Sequence, residues 1–129
     1  MRNEYPYIYP TDYNRNGISI KYFDLVELGQ SGIKIGKISL DNYKINEFDF
    51  GGPPLFYENY IFLPMYKRSF FKSGFILTII NMKNYKISTI GKIKPLIWLD
   101  VIEGNNMYFF EDIERIKKNS YSLFGDIFQ

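Results

Sequence analysis

Apolar and polar residues alternate along this chain in short runs, with a period of two rather than the helical 3.6. Ile33 and Ile35 fall on one face, with Lys37 continuing it, and Lys34, Gly36 and Ile38 fall on the other. That is the pattern of a half-buried strand. A second run, Phe75, Ile76, Leu77, Ile79 and Ile80, is apolar on both faces and predicts a more deeply buried strand. The same reading predicts strands over 18–26, 33–40, 43–48, 59–63, 74–81, 85–90 and 106–110. Lys72-Ser73-Gly74 and Met82-Lys83-Asn84 supply turns between them. Residues 55–56 and 96–98 each follow a proline and read as fourth strands of their units or as crossings to the next. Residues 111–118 are compatible with a helical turn, since acids lead, bases follow, and Ile113 and Ile116 share a face.

The runs are organised by a repeat. Residues 31–45 lie over residues 73–87 without a gap, at an offset of 42, and both copies hold Ser-Gly, one central Ile and Asn-Tyr-Lys-Ile. A third copy starts at Asn106, at an offset of 47 from Asn59, and has about two strands, the second at residues 122–124 opposite 75–77. The expectation is a single all-β domain over 1–129, an antiparallel meander with units at about 17–58, 59–105 and a partial 106–129. Two and a half units do not close a propeller of four to eight blades. Three arrangements stay open. The segment 5–9 can complete the third unit as the sheet rolls into one barrel or sandwich; two chains can combine their units into one closed ring; or the repeat is a repeated hairpin in a meander. The rolled single chain is favoured, because open sheet edges invite aggregation.

Composition supports strands. The chain has no Ala and two Val, and Ile is its commonest residue; Ile, Tyr and Phe suit pleated, half-buried surfaces. Cysteine is absent, so no disulfide framework holds the domain. No signal-type stretch and no apolar run of about 18 residues occurs. The expectation is a soluble cytoplasmic protein without a membrane segment. The net charge of +2 hides an uneven distribution. Seven bases and no acid lie between Asn59 and Leu99, and five acids and no base between Asp100 and Glu114.

Chemistry is sparse. Without His or Cys the chain lacks the usual neutral-pH base, the thiol nucleophile and the commonest zinc ligands. It carries no phosphate-binding glycine loop, and no cofactor or metal is implied. Glu103 facing Glu111 and Asp112 across a turn is the one carboxylate pair that resembles a hydrolytic site. The segment Tyr66-Lys67-Arg68-Ser69-Phe70-Phe71-Lys72 mixes aromatics with cations. That mix suits a protein interface and, less specifically, stacking on single-stranded nucleic acid. Tyr66, Lys67, Arg68, Phe70 and Phe71 are the candidate partner-binding residues, with Glu111, Asp112 and Glu114 as a second, acidic patch.

The unit Asn-Tyr-Ile-Phe…Ser-Gly-Phe-Ile-Leu-Thr-Ile…Asn-Tyr-Lys-Ile resembles a β-propeller blade over roughly residues 17–105, without a Trp-Asp dipeptide. In size and composition the chain also resembles bacterial immunity proteins of polymorphic toxin systems. That resemblance implies a non-enzymatic protein that binds and neutralises a cognate toxin, as a monomer or homodimer. The alternatives are a lectin-like module whose repeats form similar pockets lined by Tyr or Trp98, and a nucleic-acid-binding β domain.

Overall fold

Asn16 and Gly17 both adopt positive φ, 53° and 79°, the geometry of a tight two-residue hairpin turn. They join β1 (Asp12–Arg15) to β2 (Ile18–Leu28). The computed structural model, which describes residues 4–69 and 71–128, continues with β3 (Ile33–Leu40) and β4 (Tyr43–Phe50). A short β5 (Leu55–Tyr57) leads into β6 (Tyr60–Lys67), β7 (Gly74–Asn81) and β8 (Ile87–Lys94). These strands form one antiparallel sheet in the order β1-β2-β3-β4-β6-β7-β8, with β5 paired to β6. Then β9 (Trp98–Glu103), β10 (Asn106–Phe110) and β11 (Lys118–Ser122) form a second sheet with β10 in the middle. No helix occurs among the described residues, and no pairing between β1 and β8 closes the larger sheet into a barrel.

The repeat is a pair of hairpins within that one sheet. Ile38 pairs with Ile45 between β3 and β4, and Ile80 pairs with Ile87 between β7 and β8. These are the same two residues of the two copies, moved by 42. The hairpin ends differ. Asp41 and Asn42 make a two-residue turn, whereas the second copy closes with Asn81 N–H donating to Lys86 O at 2.9 Å. The equivalent tyrosines, Tyr43 and Tyr85, stack on each other with centroids 4.6 Å apart and planes at 8°.

Because side chains alternate across a strand, β6 and β7 face two ways. Ile61, Leu63, Met65 and Ile80 join Ile20, Tyr22, Ile38 and Leu40 in one core. Phe62, Phe75, Leu77 and Ile79 join Trp98, Leu99, Met107 and Phe109 in the other. The large sheet therefore coils over itself on one side of β6–β7, and the small sheet covers the other. β4 and β6 pair only through Asp49–Tyr66 and Phe50–Met65 among the described residues. Register shifts at Phe23/Val26 and Gly36/Ile38 add the local twist that such coiling needs.

Three expectations change here. Residues 5–9 form a turn closed by a Tyr5–Ile8 bridge, not a strand completing a third unit. The residues flanking this turn are instead pinned by side-chain hydrogen bonds: Trp98 Nε1–H donates to Glu4 O at 2.8 Å, and Tyr9 O–H to Lys34 O at 2.8 Å. Residues 111–117 are turns and bends rather than a helix. Asp112 draws the backbone N–H groups of Ile116 and Lys117 to its own carboxylate, and Arg115 sits at φ 61°. Ile113 and Ile116, 44% and 77% exposed, bury too little to hold a helix together. The last strand falls at β11 rather than at residues 122–124.

Candidate functional site

The loop between β6 and β7 is held by its own serines. Ser69 O–H donates to Lys72 O, Lys72 N–H donates back to Ser69 Oγ at 2.8 Å, and Ser69 N–H reaches Ser73 Oγ at 3.4 Å. Phe71 is fully exposed, and its neighbours in the sequence Lys67, Arg68 and Lys72 are exposed as well. Tyr66 is half-buried, packed on Phe75 at 5.2 Å, and the Arg68 guanidinium lies 5.5 Å from its ring centre. Tyr66 therefore supports the loop rather than offering a free ring. Phe70 lies outside the described residues.

The acidic patch is less free than its sequence suggests. Glu111 Oε2 is 3.5 Å from Lys94 Nζ and accepts Asn119 Nδ2–H at 3.1 Å. Asp112 closes its own turn, as described above, which leaves Glu114 as the exposed acid. Strand register brings the two patches to the same end of the molecule. Tyr66 pairs with Phe75, Phe75 pairs with Lys94, and Lys94 meets Glu111. Two strand spacings, about 10 Å, separate Tyr66 from Lys94. Tyr121, packed on Phe109 at 5.1 Å, borders the same junction. Burial raises its phenol above the ordinary value, and the nearby Lys94 charge opposes that.

Arg115 belongs to no motif in the sequence. Its guanidinium lies 4.6 Å from the Trp98 ring centre and 4.9 Å from that of Tyr5. This double cation–π contact pins the acidic loop against the N-terminal turn. No sequence pattern marks it, because its three members come from residues 5, 98 and 115.

The other candidate chemistries meet specific obstacles. Glu103 pairs with Asn106 at the turn end of the β9–β10 hairpin, while Phe110, beside Glu111, pairs with Trp98 at the far end. At about 3.4 Å per residue, Glu103 and Glu111 start roughly 17 Å apart, beyond the ~9.5 Å that a hydrolytic carboxylate pair spans. Trp98 is 1% exposed, and its ring is packed against Tyr5, Phe110 and Arg115 rather than presented to solvent. Tyr43 and Tyr85 occupy each other. Among the described residues no three His, Cys, Asp or Glu side chains come together as a metal site, and no helix is long and apolar enough to cross a membrane. No family model, no curated protein and no solved structure matches the chain, so the action of this site is read from its own residues.

Proposed function

We propose that this chain is a non-enzymatic inhibitor that binds a protein partner, an immunity protein neutralising a cognate bacterial toxin in the cytoplasm. The observation that supports this reading is the fully exposed Phe71 on a serine-closed loop, in a segment that also carries the exposed Lys67, Arg68 and Lys72. A large apolar side chain held out into water gains about 2 kcal/mol or more when a partner covers it. Three cations in the same segment favour a partner face that is acidic, and aromatic residues together with Arg are the usual make-up of an energetic centre. In this reading the meanders β2–β4, β6–β8 and β9–β11 are blade-like units of an unclosed stack that carries the loop. Glu114 adds a second contact at the same end.

The test is co-expression with the product of the adjacent reading frame. The expected outcome is rescue from a toxic product and co-purification of the pair. Phe71→Ala and Arg68→Ala, both at exposed positions, should each weaken binding about 10- to 30-fold while leaving the fold unchanged. A neighbouring product that is neither toxic nor bound, or a double variant that binds as tightly as the parent, overturns the proposal.

A further inference from the structure

The repeated Asn-Tyr-Lys borders a cleft in each of its copies. On the outer face of β2–β4 a cleft of about 500 Å³ is lined by Ser39, Asn42 and Lys44, with Lys21 and Asp41. At the end of β7–β8 a cleft of about 350 Å³ is lined by the residues 42 positions on, Asn81, Asn84 and Lys86, with Ser88. The stacked Tyr43 and Tyr85 come from the middle of the two motifs. One duplicated sequence thus builds two related concavities, and they have diverged in chemistry.

The second cleft presents donors. Asn81 Oδ1 accepts the Lys83 N–H and Asn84 Oδ1 accepts the Lys86 N–H, each at 2.9 Å. Of the two ends of a carboxamide only the oxygen can accept an N–H, so both amides are fixed with their NH₂ ends turned away from those donors. To these the lining adds the Lys86 ammonium and the Ser88 hydroxyl, and no carboxylate among the described residues. The remaining wall is apolar, including Ile90 and Phe128, and Tyr60 packs on Phe128 at 4.7 Å. Donors and an apolar, aromatic wall lining one cleft match an oxyanion on an apolar body, and the volume suits a small ligand.

The first cleft lacks both halves of that match. Asp41 sits in its lining, with Oδ1 accepting the Ser19 N–H at 2.8 Å, and no apolar residue lines it. The Lys44 ammonium lies 5.4 Å from the Phe23 ring centre instead. An anion there meets a carboxylate and finds nothing to cover an organic body.

We propose that the β7–β8 cleft is a binding site for a small organic anion, an oxyanion head carried on an aryl or alkyl body. The site is separate from the Lys67–Lys72 loop, so it stands or falls independently of the inhibitor reading. The test is a ¹H–¹⁵N NMR titration of the intact chain with phenyl phosphate, beside inorganic phosphate and phenol. Phenyl phosphate should shift the side-chain amides of Asn81 and Asn84 and the backbone amide of Ser88 saturably. Inorganic phosphate and phenol should each bind at least about tenfold more weakly. Lys86→Gln, at an exposed position, should weaken phenyl phosphate binding about tenfold, and the repeat-equivalent Lys44→Gln should leave it unchanged. The free spectrum of each variant reports directly on its fold. Absence of saturable shifts, an equal response to inorganic phosphate, or undiminished binding in Lys86→Gln overturns the proposal.

Discussion

The Tyr22 phenol is buried and donates to the Gly51 carbonyl at 2.8 Å, and the Tyr9 ring lies 5.0 Å from it. Gly52 leaves no room for a side chain between them, since a Cβ there would meet the Tyr9 ring at 2.7 Å and Tyr22 Oη at 3.0 Å. Burial pushes the phenols of Tyr9, Tyr13 and Tyr22 upward, and for Tyr13 the Glu4 carboxylate adds to that. The folded chain therefore keeps protons that the unfolded chain releases near pH 10. Stability that these groups protect is intact below about pH 10 and falls as pH rises toward their folded values. The expected outcome is a cooperative alkaline transition in which phenolate absorbance at 295 nm and loss of strand circular dichroism coincide. Phenolate appearing in these residues while the fold persists would contradict it. Tyr22→Phe should also lower stability by about 1–3 kcal/mol at neutral pH, because the Gly51 carbonyl loses its phenol donor.

At the scale of single elements, the glycines separate close approach from backbone conformation. A Cβ on Gly74, at the start of β7, would stand 2.5 Å from the Lys94 carbonyl oxygen, a backbone atom of the neighbouring strand. Gly104, in the β9–β10 turn at φ 58°, has open space around it. Gly104→Ala should therefore cost only the left-handed penalty of about 1–2 kcal/mol. Gly74→Ala should cost more and shift the amide resonances of both β7 and β8; equal denaturation midpoints would refute the distinction. These elements were unequally legible. The bounds of β3 and β7 follow directly from apolar runs opened by Ser-Gly, because both strands are packed and packing writes a pattern. The polar strands β1 and β11, Asp-Tyr-Asn-Arg and Lys-Asn-Ser-Tyr-Ser, sit at sheet edges and write none. For β1 a signal did exist in Asn16-Gly17, the strongest short hairpin cue in the chain. Site residues were legible as types: Lys67, Arg68 and Phe71 stand out by composition. Their neighbours were not, since Lys94 reaches Glu111 only through the register of three strands, and the amide ends of Asn81 and Asn84 are oriented by turn hydrogen bonds.

Across the whole molecule, protection from solvent should follow the layering. β6 and β7 contribute to both cores and have neighbours on both sides, whereas β1 and β8 end the large sheet. Native-state hydrogen exchange should be slowest at residues 61–65 and 75–80, approaching the global unfolding free energy. It should be faster by orders of magnitude in β1 and β11. Uniform protection across all strands would mean that the layers open together. β8 carries the devices that discourage edge-to-edge pairing: Lys92 and Lys94, a register shift, and Gly91 at φ 81° against the Tyr121 hydroxyl.

Trp98 is the single tryptophan of the chain. It is enclosed at 1% exposure, its indole N–H is bound to Glu4 O, and Arg115 lies over its ring. The molecule thus holds one optical probe at the point where the N-terminal turn, the acidic loop and the small sheet meet. Its emission colour reports whether those three are joined, and a red shift without loss of strand signal marks their parting while the rest of the fold stands. The acidic loop leads from there to the Lys94–Glu111 contact, so binding of the proposed partner at the Phe71 end is expected to change this emission in unlabelled material.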